Sequence, residues 1–376
     1  MPIKLLTVIG ARPQIIKAAA LSRAIKTHFS DVVEEYILHT GQHYDENMSA
    51  VFFEELGIPQ PHYNLGVGSG RHGAQTAKMI CGIEDVLLQE KMDGVVLYGD
   101  TNSTLAGAVA ASKLHIPIFH VEAGLRSFNM AMPEEVNRIV CDQLSSICFA
   151  PTQTAVENLR REGFFESSTT FADGNRRKVV LSGDVMYDNS LHFAPIAEKK
   201  SRLLQEISVE KNQYILATIH RDYNTDHQER MEGILNALEQ IAQEEQIPVV
   251  LPLHPRTKNI LEKQQSRILK NQWFKIISPA GFLDMIALER GARIVMTDSG
   301  GVQKEAFFYE RPCVILRSET EWVEIVNEGA GIVADASTER IQEAYHKLVD
   351  KEVHFPPLFG DGNAAERIVR EIKGIF

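Results

Sequence analysis

Several stretches of this chain place charged or hydrogen-bonding side chains directly after a short apolar run, where a parallel sheet presents them at its carboxyl edge. Gly10-Ala11-Arg12-Pro13-Gln14 leads into a helical stretch carrying Lys17. That sets two cations beside a helix N-terminus, a place suited to an anion. Gly99-Asp100-Thr101-Asn102-Ser103-Thr104 offers a glycine turn, an acid and several helix-capping side chains. Asp100 either caps the following helix or does acid/base work. In His120-Val121-Glu122-Ala123-Gly124-Leu125-Arg126, Glu122 falls at the tip of the next strand. Met132-Pro133-Glu134-Glu135-Val136-Asn137-Arg138 then begins a helix at Pro133, and acids in a first turn are favoured by the helix dipole alone. If the strands are neighbours, Asp100, Glu122 and Glu134 converge on one cleft, which is more than capping needs.

The second half has its own set. Thr218-Ile219-His220-Arg221 and Leu253-His254-Pro255-Arg256 each follow a strand. His220 has three readings: a base, a phosphate donor or a surface histidine. Thr297-Asp298-Ser299-Gly300-Gly301-Val302-Gln303-Lys304-Glu305 is a strand, a Ser-Gly-Gly turn and a helix start. Such a turn lets backbone N–H groups approach a diphosphate, and Glu305, one turn in, is placed for ribose hydroxyls. Arg317 adds a cation to the same edge. The chain has no HExxH, DxD or GxxxxGK[ST] pattern, so neither a required metal nor ATP is expected.

The elements that must hold these residues alternate. Apolar runs at 5–9, 35–39, 94–98, 116–121, 179–182, 214–218, 248–253, 275–278, 293–297 and 313–316 are separated by amphipathic stretches such as 15–27, 103–114 and 229–244. This is the pattern of parallel sheets covered on both faces, and about ten strands are too many for one comfortable sheet. The expected class is α/β, with two doubly wound Rossmann-like domains. The expected division is 1–175, with the carboxylates, and 176–362, a nucleotide-binding domain. Residues 363–376 form a terminal helix expected to pack back on the first domain. The boundary is expected between about 165 and 195, where the polar, glycine-containing stretch 166–178 and the run S-G-D-V-M-Y-D-N-S lead to a charged helical stretch.

Composition bounds the rest. The chain has 376 residues, 44% hydrophobic and 24% charged, with 39 basic and 50 acidic side chains and net charge −11. Its mean hydropathy is −0.15. That balance argues against nucleic-acid binding and a basic membrane-surface role. No apolar run approaches the roughly 18 to 20 residues that cross a bilayer, so no membrane association is expected. The N-terminus reads as a first strand and not as a signal peptide, so a cytoplasmic location is expected. Cys81, Cys141, Cys148 and Cys313 form no CxxC pair and read as buried small hydrophobes.

G-A-R-P-Q-I-I-K, T-G-Q-H-Y, Y-G-D-T-N-S-T, H-V-E-A-G-L-R, P-E-E-x-N-R, T-x-H-R, T-D-S-G-G-x-Q-x-E and a closing G-D-G-N-A follow in order along the chain. Together they resemble the non-hydrolysing UDP-N-acetylglucosamine 2-epimerases over its whole length. The resemblance implies a glycosyltransferase-B-like fold, a homodimer, and a UDP-sugar in the interdomain cleft, with no cofactor. It also implies a route. The C2 hydrogen of a UDP-sugar is not next to a carbonyl, so direct deprotonation would give an unstabilised carbanion. Elimination of UDP to a 2-acetamidoglycal and re-addition avoid it. Asp100, Glu122, Glu134 and His220 carry over as the catalytic set, His220 with Arg12 and Lys17 steadying the phosphates. Ser299, Gly300, Gly301 and Glu305 would hold the uridine diphosphate, and Arg138, His254 and Arg317 complete the substrate-binding set.

The departures from the family pattern point to a branch. Members acting on UDP-N-acetylglucosamine typically read G-T-R-P-E and T-T-E-R-P-E, with a Trp before the Pro-Glu-Glu run. Here Gln14, Trp322 and Met132 stand at those places. This spelling resembles the branch that converts UDP-2,3-diacetamido-2,3-dideoxy-glucuronate to its mannuronate isomer for surface polysaccharide, such as lipopolysaccharide O-antigen. UDP-N-acetylglucosamine is the alternative substrate, and retaining glycosyl transfer the alternative reaction. A carboxylated sugar needs an extra cation, which Arg71, Arg126 or Arg317 would supply. Gln42, His43 and Arg71 lie in regions that family members use for activation by substrate.

Overall fold

The computed structural model describes residues 1–42, 57–164, 169–170, 176–263 and 266–376. They form two compact units, Met1–Asn189 with Pro357–Phe376, and Ser190–Pro356. His43 lies outside the described residues, as do 165–168 and 171–175 of the expected boundary stretch.

In the first unit the strands are β1 (Ile3–Ile9), β2 (Val33–His39), β3 (Tyr63–Asn64), β4 (Gly94–Tyr98), β5 (Ile118–Val121), β6 (Ile147–Ala150), β7 (Thr169–Thr170) and β8 (Arg176–Leu181). Among the described residues they make one sheet in the order β3-β2-β1-β4-β5-β6-β8-β7. Only β7 in that sheet runs antiparallel to its neighbour. Leu5, Leu6, Val8 and Ile9 of β1 are all fully buried, as a strand covered on both faces requires. The chain order reverses between β1 and β4, which pair Leu6 with Val95. The helix Asn102–Lys113 lies close on β4: a Cβ on Gly107 would come 2.5 Å from Leu97 Cδ2.

The second unit repeats the plan with β9 (Ile215–Thr218), β10 (Val249–Pro252), β11 (Phe274–Ile277), β12 (Ile294–Thr297), β13 (Cys313–Ile315) and β14 (Gly331–Val333). Its order is β11-β10-β9-β12-β13-β14, and here the reversal falls between β9 and β12. The helix Gln228–Glu245 turns Ile234, Leu238 and Ile241 into a core shared with Leu251 and Ile294. In sheets of this type ligands bind beyond the carboxyl ends of the strands at such a reversal. The loops after β1, β4, β9 and β12 carry Arg12, Asp100, His220 and Ser299 respectively.

The structure departs from the sequence reading at the unit boundaries and at one cysteine. The units divide at 189/190 and 356/357, not at 175/176 and 362/363, because β8 pairs with β6 in the first sheet and Asp184 N donates to Phe359 O at 2.9 Å. The terminal helix Ala364–Lys373 belongs to the first unit, where Asp188 accepts from Ala364 N at 3.1 Å and Ala365 N at 2.8 Å. Cys141, Cys148 and Cys313 are buried, but Cys81 is exposed on the surface of its helix.

Candidate active site

In the first unit the loop after β1 is fixed from within. Gln14 Oε1 accepts from Gly10 N at 2.9 Å and Ala11 N at 3.2 Å, while its Nε2 donates to Tyr98 O at 2.9 Å and Thr104 Oγ1 at 3.0 Å. A carboxylate there would serve the two amides and repel the Tyr98 carbonyl. Gln14 is therefore a buried strut between the β1 and β4 loops.

One turn further, Lys17 Nζ donates to Glu122 Oε1 at 2.8 Å, with both side chains largely buried. Glu122 turns the chain at the end of β5 with φ 69°, a conformation that costs a non-glycine residue about 1 to 3 kcal/mol. Beside it, Gly99 has φ 61°, and a Cβ there would sit 3.0 Å from Lys17 Nζ. Thr101 Oγ1, not Asp100, accepts the capping bond from Thr104 N of the next helix. Asp100 is left to pair with Arg138. Burial raises the Asp100 carboxyl pKa above its ordinary value; the Arg138 and Lys17 charges oppose the rise and Glu122 adds to it.

Of the two adjacent glutamates that start the helix Pro133–Leu144, Glu135 is the buried one. It accepts from Ser127 N at 3.0 Å and Phe128 N at 2.9 Å, and pairs with Arg138. Glu134 is exposed and makes no hydrogen bond or ion pair among the described residues. The structure thus joins Asp100, Glu122, Lys17 and Arg138 in one network, and Glu134 stands outside it. Arg12 is exposed at the first position of its helix.

In the second unit the organiser is Asp298, at the tip of β12 and fully buried. Its carboxylate accepts from His220 N at 3.1 Å, Arg221 N at 3.1 Å and Asn224 Nδ2 at 3.1 Å, and meets His220 Nδ1 at 3.0 Å. Burial works against its charge, but His220 and these donors outweigh it and its pKa is lowered. His220 itself is half exposed. Ser299 Oγ caps the helix Gly300–Phe308 by accepting from Val302 N, leaving the Gly300–Gly301 backbone at the helix start. A Cβ on Gly300 would come 2.2 Å from Glu321 Oε1. Glu321 in turn takes Arg317 Nη1 at 2.8 Å, and Trp322 is buried beneath the same turn. Burial first, and Glu305 second, push the Glu289 carboxyl well above its ordinary pKa. His254 is exposed, its Nδ1 accepting from Arg256 N at 3.3 Å.

Four residues answer questions raised by the sequence. Arg126 is buried in ion pairs with Asp142 and Glu162, each at 2.7 Å, and Arg317 is held by Glu321. Arg71 is exposed and its guanidinium makes no ion pair among the described residues. Gln42 Oε1 accepts from Ser103 Oγ at 2.8 Å. The sequence reading passed over Glu135, Asp142 and Asp298. For Asp298 the signal was present, an acid directly after an apolar strand, the same signal that singled out Asp100.

Two parallel α/β units with a buried acid network after one reversal and a Ser-Gly-Gly turn after the other define a sugar-nucleotide enzyme class. The family model described as UDP-N-acetylglucosamine 2-epimerase matches residues 26–373, and the chain belongs to that family. It is 49% identical over 366 residues to the UDP-2,3-diacetamido-2,3-dideoxy-D-glucuronate 2-epimerase of Pseudomonas aeruginosa, covering 97% of this chain and 98% of the relative. It is 48% identical over 375 residues to a UDP-N-acetylglucosamine 2-epimerase homolog of Methanococcus maripaludis, covering 99% and 100%. The crystal structure of the Methanocaldococcus jannaschii UDP-GlcNAc 2-epimerase in complex with UDP-GlcNAc and UDP superposes with a TM-score of 0.86 at 42% identity, covering 99% of this chain and 100% of that one. The fold is the expected glycosyltransferase-B-like class, and the protein is an isomerase, a UDP-sugar 2-epimerase. Among the described residues no helix is long and apolar enough to cross a membrane.

Proposed function

We propose that this enzyme inverts C2 of UDP-2,3-diacetamido-2,3-dideoxy-D-glucuronate, giving the mannuronate isomer for surface polysaccharide, as a cytoplasmic homodimer. Support for the substrate comes from the spelling at Gln14, Met132 and Trp322 and from the 49% identity to the Pseudomonas aeruginosa enzyme. The uronate carboxylate needs a cation, and the exposed Arg71 is the member of the expected three not engaged in an ion pair among the described residues.

The observation that carries the chemistry is the pairing of Glu122 with Lys17 beside an Asp100 of raised pKa. One carboxylate kept ionised by a cation and one carboxyl inclined to hold its proton are the two partners that proton removal and return require. One takes the C2 proton, the C2–H electron pair becomes the C1=C2 bond of the glycal, and UDP leaves with the electrons of the broken C1–O bond. The other delivers a proton to the opposite face of C2, and the UDP oxygen re-adds at C1. In the reverse direction the two exchange roles. Arg12 and His220 offset charge on the departing diphosphate. Ser299, Gly300, Gly301 and Glu305 hold the nucleotide.

Positional isotope exchange tests the C1–O cleavage. With 18O in the bridge between C1 and the β-phosphorus, the label is expected to move to a non-bridging β-phosphate position during turnover. Inversion with the label unmoved contradicts elimination. Equal turnover of UDP-N-acetylglucosamine transfers the substrate assignment to the sugar used by the Methanocaldococcus jannaschii enzyme.

A further inference from the structure

Gly99 is bound to β5 through both ends of its peptide. Its N–H donates to Val121 O at 3.0 Å, and its carbonyl lies 2.7 Å from His120 Nε2. The other ring nitrogen, Nδ1, lies 2.7 Å from Asp142 Oδ1. His120 and Asp142 are both fully buried. A carbonyl oxygen only accepts, so Nε2 must carry a proton. The remaining proton sits either on Nδ1 or on Asp142. Asp142 Oδ2 already takes Arg126 Nη1 at 2.7 Å and Gly124 N at 3.2 Å, bonds that favour the carboxylate. The proton therefore belongs to Nδ1.

We infer that His120 is a buried, permanently protonated imidazolium that acts as a positioning residue, tying the loop of Asp100 to the strand that ends in Glu122. Its Nε2 hydrogen bond fixes Gly99, the residue before Asp100, to His120, two residues before Glu122, while Asp142 holds the ring through Nδ1. The separation of the two carboxyl groups is thereby set by one cation. The groups facing the ring are consistent with its charge. Asp142 and Cys141 come from the helix Pro133–Leu144, Arg126 with Glu162 lies beyond Asp142, and Cys148 stands opposite His120 on β6. Burial opposes the imidazolium, but Cys141 and Asp142 raise its pKa well above the ordinary value, while burial keeps Cys148 a thiol.

Neutron diffraction from crystals of the full chain near pD 8 tests the protonation without reference to activity. Deuterium on both ring nitrogens is expected, and deuterium on one alone overturns the inference. The positioning role rests on the proposed epimerisation and is tested with His120→Gln and His120→Asn. Gln reaches Gly99 O and Asn does not. His120→Asn is expected to lower kcat about tenfold to a hundredfold with KM within about twofold, the scale of a misplaced reacting group. His120→Gln is expected to recover a large part of that loss. Equal loss of kcat, UDP affinity and thermal midpoint in both variants overturns positioning in favour of a merely structural role. A wild-type enzyme that epimerises neither sugar contradicts the proposed function and leaves the protonation to be decided by diffraction.

Discussion

Lys17 donates to Glu122 across a 2.8 Å contact, both side chains being largely buried, so the lysine expected at a phosphate holds a carboxylate. The pair joins the helix after β1 to the tip of β5, and Glu122 keeps a left-handed backbone there. A cation at that distance favours the ionised carboxylate, which is the state a base must have.

Removing that cation should move a pH profile. With Lys17→Met, the Glu122 carboxylate loses that cation and its pKa is expected to rise. The acidic limb of kcat/KM should shift to higher pH by about one unit or more. Profiles of the two proteins from pH 5 to 9 check this; an unmoved limb would show that Glu122 ionisation does not govern the rate.

Asp100→Asn keeps the size and one acceptor but cannot take or give the proton. UDP affinity should stay within a few-fold of wild type while kcat falls at least about a hundredfold, the usual scale for a general acid or base. Calorimetric UDP titration beside steady-state kinetics separates the two effects.

The neighbouring glutamates make a contrast. Glu135 accepts two backbone N–H groups and a guanidinium, so Glu135→Ala should cost roughly 2 to 4 kcal/mol of stability by leaving Arg138 and the Ser127–Phe128 amides poorly paired. Glu134 is exposed, and Glu134→Gln should change stability by less than about 0.5 kcal/mol. If Glu134 works on the sugar, that variant loses kcat while unfolding at the same denaturant concentration. Urea unfolding and kinetics on both variants decide it.

That contrast shows where sequence reasoning stopped. P-E-E places two acids in a first helical turn, but neighbouring positions differ by about 100° around the helix axis, and the phase that buries one of them comes from tertiary packing. Asp100 left a similar choice between cap and acid, and the structure puts Thr101 at the cap. The long β-branched runs that became β1, β4, β9 and β12 were legible because burial on both faces demands continuous apolar sequence. β6 was not, since Ile147–Ala150 is four residues with no period of its own. Asp142, in the last turn of its helix, carried no local sign of its pairing with His120 and Arg126.

Asp188 supplies a pH dependence of stability. Burial is the main cause raising its pKa from 3.8 to about 6, against the two amides of Ala364 and Ala365. The folded state thus binds the proton more tightly than the unfolded chain. The stabilisation is present in full below about pH 4, is lost as pH rises through 6, and is absent above. The change amounts to roughly 3 kcal/mol at most. Urea unfolding of wild type and Asp188→Asn at pH 4.5 and 7 should show the variant gaining on the wild type as pH rises. A constant gap would mean that Asp188 does not titrate in this range.

The central claim is inversion at C2 by loss and return of a proton during transient departure of UDP. Proton NMR of the enzyme in deuterium oxide, with each UDP-sugar supplied separately, tests it most directly. The account predicts a new anomeric signal for the manno isomer of the diacetamido-uronate, with loss of its C2 proton signal as deuterium enters. Failure to invert that sugar, or inversion with the original hydrogen retained at C2, would contradict it.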